Sequence, residues 1–249
     1  MPCYCSKPLP LERLHDAINP VRLKHETLAN HVNQPSNFFR IITDNMKENS
    51  ITSKGLTNLM HKAFQAFDEY NKQDPHVFNW EGQAYPNEYF LSLKLHGWVT
   101  KLAPTAGEAL LLASRCQHIG RWEIPRNDYP RDRAGYLKWR KKLALHHADK
   151  ASQILTKVGY ASEIIERVHH IVLKRKLKAD ADVQTMENAL CLVFLQFQYE
   201  AFWPQHTDKI VGILRKSLQK MDADGHEHAL RLNYSDLGKY YIEQALSQL

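Results

Sequence analysis

Nowhere in the 249-residue chain do eighteen apolar residues run together, so no segment has the length and uniformity of a membrane-spanning helix. The opening MPCYCSKPLPLERLH has no apolar core ahead of a small-residue cleavage site, and a secretory leader is not expected there. Cysteine is scarce: Cys3, Cys5, Cys116 and Cys191. The last two sit in apolar helical patterns, where reduced core thiols are expected. Cys3-Tyr-Cys5 has neither the spacing nor the second pair of a zinc clasp. These absences make a cytoplasmic protein the expectation. Also missing are a Walker-type phosphate loop, a dinucleotide glycine fingerprint, a Gly-x-Ser-x-Gly elbow and a His-Glu-x-x-His pair, which argues against the enzyme classes built on them. No segment alternates with a convincing strand period, and no repeat of fixed length occurs.

What is present is helical. Apolar residues make up 43% and charged residues 24%, ordinary for a globular chain long enough for one sizeable domain. Residues 1–55 differ from the rest: they hold turn-forming Asn, Pro and Ser and only two short apolar clusters, Leu11 to Ile18 and Phe38 to Met46. They read as an accessory segment, with the main domain over 56–249. From Leu56 onward, Leu59, Met60, Ala63, Phe64 and Phe67 recur at helical intervals. After a loop at Asp74-Pro75 and Gly82, Pro86 is placed to open a helix through Leu102 with a stripe of Leu91, Leu95, Trp98 and Leu102. A central apolar helix follows from Pro104-Thr105 to Ile119. A long one runs from about Arg133 to Val158, stopping at Gly159. Further helices are expected from Ser162 through the basic run Lys174 to Lys178, from Asp182 to Phe202, from His206 to Met221, and from Tyr234 to Leu249. The fold class is all-α, a single helical-bundle domain.

Between the central and long helices lies RCQHIGRWEIPRNDYPRDRAGYLKWR, Arg115 to Arg140. Arg121, Arg126, Arg131 and Arg133 crowd this stretch with Trp122 and Tyr129 among them, a composition with no use in a packed core. Guanidinium forks hold phosphate in two-point contact, and an aromatic ring can stack a base. Glu123, Asp128 and Asp132 nearly balance the charge, so some of these arginines are expected to pair internally. A net charge of +6 also favours a phosphate-bearing partner, whether a small molecule, a nucleotide or RNA.

Several polar residues fall where helical geometry turns them inward. Leu143, His147, Ala151 and Ile154 share one face, leaving His146 about 100° away and solvated. Val183, Glu187, Leu190 and Phe194 share another, which puts a carboxylate among apolar residues and demands a partner. His118 ends the central helix, and His96 lies beside Trp98 and Val99. One candidate on each of four helices (His96, His118, His147 and Glu187) is how bundles assemble a metal centre. Imidazole with carboxylate suits zinc, iron, manganese or nickel.

The words QHIGRWEIPR, YPRDRAGYLKWR, HADKA with a following GY, and CLVFL resemble the family known as domain of unknown function 4202, over roughly Leu59 to Leu230. That family is similar, distantly, to the HD superfamily, whose helical members are metal-dependent phosphohydrolases with some iron oxygenases among them. The resemblance implies an HD-like fold in which His118 matches the histidine of the metal-binding His-Asp doublet. Ile119 stands where the aspartate belongs, and Glu187-Asn188 stands where relatives carry Glu-Asp. The leading expectation is a hydrolase of a phosphate-containing small molecule or nucleotide. A divalent metal is held by His118, His147, Glu187 and His96, with Arg121, Trp122, Arg126, Arg133 and Arg140 binding substrate. Two alternatives stand beside it: a non-catalytic nucleotide- or RNA-binding module, and a metal-free enzyme in which His118 and Glu123 transfer protons.

Overall fold

A computed structural model describes residues 58–249; the accessory segment expected over 1–55, with its two short helices, lies outside the described residues. The chain enters on helix α1 (residues 58–71). A small antiparallel hairpin follows, β1 (Val77–Trp80) and β2 (Gln83–Pro86), paired from Val77 with Pro86 to Trp80 with Gln83. The sequence reading expected only a loop here. Four-residue strands are too short to carry a period, and the turn makes the structure: Glu81 (φ 50°) and Gly82 (φ 78°) both take the left-handed conformation of a type I′ hairpin.

The helices after it are α2 (Asn87–Leu102), α3 (Glu108–Cys116), α4 (Arg133–Val158), α5 (Ser162–Val172), α6 (Ala181–Val193), α7 (Tyr199–Phe202), α8 (Ile210–Leu218), α9 (Ala223–Leu230) and α10 (Asp236–Leu246). Helix α2 packs on α3 and α6, α3 on α5, and α5 on α4, while α8 pairs with α10. Their facing stripes bury Phe67, Leu110, Leu112, Leu143, Leu155, Ile171, Met186 and Leu192 almost completely, each contributing about 1.5–3 kcal/mol of hydrophobic stabilisation. Cys116 and Cys191 are buried free thiols in this core, and burial raises the Cys191 thiol to about 12.

Boundaries follow local chemistry. Asp132 caps α4 by accepting the Gly135 N–H at 2.6 Å, and a Cβ on Gly135 would overlap the Pro130 carbonyl oxygen. The arginine loop therefore lies directly on the start of α4. Helix α4 ends at Gly159 (φ 102°) as expected. Helix α5 does not run through the lysines. It stops at Val172, and Lys174, Lys176 and Lys178 take positive φ in successive turns. Beyond Val172 the turns follow their contacts instead: Leu173 and Leu177 pack against the core, Lys174 pairs with buried Glu187, and Lys178 Nζ donates to the Met221 carbonyl. Helix α6 continues through a π-helical turn, Phe194–Gln198, into α7. Asp222 caps α9, a short helix with too few apolar positions to be predicted.

Candidate active site

The site begins with a stripe. Leu91, Leu95, Trp98 and Leu102 line the inner side of α2 at spacings of four and three, and one more step back reaches Glu88. That carboxylate is only 4% exposed. Asp74, before the hairpin, accepts the Glu88 backbone N–H at 2.9 Å and also holds the backbone and ring nitrogens of His76. The first turn of α2 is thus fixed from outside the helix. Glu88 Oε1 accepts from Asn87 Nδ2 at 3.2 Å, and Arg121 Nε stands 3.8 Å away. Burial pushes the Glu88 carboxyl up to about 7; Arg121 opposes this shift and the charge of Asp74 adds to it.

His118 follows the end of α3 and faces the same cleft. Among the described residues its ring has no hydrogen-bond partner. Burial, reinforced by Arg121, His147, Lys174 and Arg140, drives its pKa well below the ordinary imidazole value, so the ring is neutral at neutral pH. The His147 ring on α4 lies 5.6 Å away, centroid to centroid. Its Nδ1 donates to the Ile119 carbonyl at 2.6 Å, leaving buried Nε2 unpartnered. Burial holds this ring down to about 3.

These side chains line connected hollows. One cleft, about 160 Å³, is bounded by Asn71, Glu88, Ser114, Gln117, His118 and Arg121, and Gln198 of the π turn also lines it. A π turn inside an α-helix is a frequent mark of functional sites. Behind His118 lies a smaller pocket with Gln117, Arg140, His147 and Lys174. Beyond Glu88 and Arg121 opens a trough walled by Trp122, Arg126 and Trp139. A carboxyl and an imidazole with a guanidinium beside them can bind an anion and move a proton.

The family model with the description "Domain of unknown function (DUF4202)" matches residues 61–242. The chain belongs to this family. No curated protein and no solved structure matches it. In this family member the stretch QHIGRWEIPR lines all three adjoining hollows, and YPRDRAGYLKWR contributes Trp139 and Arg140.

The expected residues divide. Arg121 lies between cleft and trough, its guanidinium 5.8 Å from the Trp139 ring centroid. Arg140 stands at the smaller pocket and Trp122 on the trough, 5.7 Å from the Tyr70 ring. Arg126 borders the trough but commits both terminal nitrogens to the carbonyls of Tyr129 (2.9 Å) and Pro130 (2.8 Å). Arg133 is exposed at the start of α4 and lines none of these hollows. Glu123, expected as a proton-transfer group, is closed into its own cluster: it accepts from Tyr70, and His146 Nε2 (2.9 Å) and Lys150 Nζ (3.4 Å) pair with it. His146 is therefore partnered, and not simply solvated.

The expected metal ligands do not converge. Glu187 has its partner in Lys174 at 2.6 Å, with Lys220 at 3.5 Å. Asn188 beside it donates to the Asp222 cap at 2.7 Å. His96 pairs with Ser114 Oγ at 2.8 Å and sits edge-on to Phe64. Ile119 is a fully buried core residue. Among the described residues no group of three or more His, Cys, Asp or Glu side chains could hold a metal ion. Arg121, Arg140 and Lys174 around His118 oppose a dication further. The residue that sequence reasoning missed is Glu88, although the apolar stripe extended backward points to it.

Proposed function

We propose that the cleft is the active site of a metal-independent acid–base enzyme acting on a phosphate-containing small molecule or nucleotide. The observation that carries this reading is an inversion of basicity within one cleft. The Glu88 carboxyl is pushed up to about 7 while the His118 ring is driven well below its ordinary value. Two titratable groups whose environments move them in opposite directions mark an acid and a base. Near neutral pH the protonated Glu88 is the acid and neutral His118 the base. Arg121 offers its charge to an anionic substrate. His118, without a hydrogen-bond partner among the described residues, is placed to bond to substrate.

Two other readings receive less support. Metal-dependent hydrolysis of the HD type lacks a ligand set, for the reasons of geometry and charge given above. An RNA-binding module loses its strongest feature, since Arg126 is tied to backbone carbonyls and Arg133 lies off the clefts.

The test is a turnover screen over phosphomonoesters and nucleotides with chelator present, followed by a pH profile on the best substrate. Activity is expected to fall on the alkaline side with an apparent pKa near 7. His118→Ala is expected to cost about 10²–10⁴ in rate. Turnover that requires an added divalent metal, or that is indifferent to His118, contradicts the reading.

A further inference from the structure

We infer that the pocket behind His118 is a phosphate subsite, in which Arg140 and Lys174 meet the charged oxygens and His147 Nε2 meets the P–OH. The inference deepens the acid–base reading by stating where the substrate's phosphate sits.

Unpaired acceptors point to it first. His147 is 3% exposed and its Nδ1–H is already given to Ile119, so Nε2 presents a lone pair with no donor among the described residues. Gln117, 4% exposed, repeats the arrangement: Nε2 donates to the Val172 carbonyl at 3.0 Å and Oε1 is left unpaired. Both line the pocket. A buried acceptor without a donor is costly, and two beside one hollow define what its occupant must supply.

The charges supply the other half. Lys174 and Lys220 share the single carboxylate of Glu187, which leaves one positive charge in excess. Arg140 has no carboxylate within 4.0 Å among the described residues and adds a second. An occupant must carry negative oxygens for these cations and a hydroxyl for at least one of the two acceptors. A metal ion fails on charge. A carboxylate or sulfate, fully ionised at neutral pH, has no hydroxyl to give. A phosphate that keeps one proton supplies the negative oxygens and donates its single O–H to His147 Nε2. His118 lines this pocket and the Glu88 cleft alike, so an ester whose phosphate sits here in its monoprotonated form lies next to the His118 ring.

Calorimetric titration of the full chain at pH 7.5 and constant ionic strength tests this, using inorganic phosphate and then sulfate. Phosphate is expected to bind, with sulfate at least tenfold weaker. Arg140→Ala, at an exposed position, is expected to weaken phosphate at least tenfold, and Glu88→Gln to leave it unchanged. Absence of phosphate binding, or binding unaltered by Arg140→Ala, overturns the subsite. Equal binding of phosphate and sulfate overturns it too, because His147 would then recognise nothing. If phosphate does not bind while His118→Ala still abolishes turnover, the subsite falls and the acid–base reading stands. If phosphate binds as expected and turnover ignores His118, the opposite holds.

Discussion

Two sets of histidine, glutamate and cation flank Gly120, and they behave in opposite ways. On one side Glu123 gathers Tyr70, His146 and Lys150. Burial raises its carboxyl, but the Tyr70 hydrogen bond and the charges of Lys150 and His146 more than reverse this, and it ends below the ordinary value. On the other side Glu88, His118 and His147 stay under-partnered, and burial dominates all three. Arg121 and Glu123 share one short 3₁₀ turn, and His146 and His147 are neighbours on α4. One residue of helical rotation separates a closed ion-pair cluster from an open cleft. Closure contributes to stability, whereas polar groups left open are available to a ligand.

Turnover gives the widest separation between the two sets. Glu88→Gln is expected to lower the rate on the substrate found by screening about 10²–10⁴-fold, while Glu123→Gln stays near wild type. A loss with Glu123→Gln equal to that with Glu88→Gln would erase the distinction.

Stability separates them next, with opposite signs. A carboxyl raised from 4.5 to about 7 in the fold binds its proton more tightly there than in the unfolded chain. Stability is therefore lost as pH rises between those values. Replacing Glu88 by Gln removes that penalty. The variant should gain about 3 kcal/mol at pH 8 and nothing at pH 4, read by urea denaturation. Glu123→Gln should lose on the order of 1 kcal/mol or less at pH 8, since its partners are partly solvated. A separate effect is expected at the divider. Gly120 holds φ 68°, and an added Cβ would lie 2.9 Å from His146 Nε2. Gly120→Ala should cost about 1–2 kcal/mol and disturb the Glu123 cluster before the cleft, visible as a shift of the His146 ring resonances.

Much of this architecture was legible in the residues. The stripe on α1, the limits of α4 and the inward turn of His147 all follow from helical spacing and from Gly159. Other features were hidden by the same rules. The hairpin depends on two left-handed residues and not on periodicity. The lysines after Val172 fit a helix in a propensity sense, but tertiary contacts of Lys174 with Glu187 and of Lys178 with the Met221 carbonyl favour successive turns. At the candidate site, His118, Arg121 and Arg140, in and beside the basic loop, line the hollows. Glu123, expected beside His118 as a proton-transfer group, lies instead in the cluster with Tyr70, His146 and Lys150, partners that come from distant parts of the sequence. Glu88 went unseen because an acidic residue in a helix's first turn is common and explained by the dipole. Its partner Arg121 comes from a distant loop. Glu187 needed a partner, as its burial required, but lysines supply it.

The central claim is that a carboxyl and an imidazole in one cleft have exchanged their usual order of basicity. Titration of carboxyl-labelled glutamates and of the histidine rings by NMR reads it directly, with Glu88→Gln and His118→Ala used to assign the signals. The Glu88 carboxyl should titrate near 7, with the His118 ring still neutral well below pH 6.5. A Glu88 midpoint near 4.5 together with a His118 midpoint near 6.5 would contradict the account.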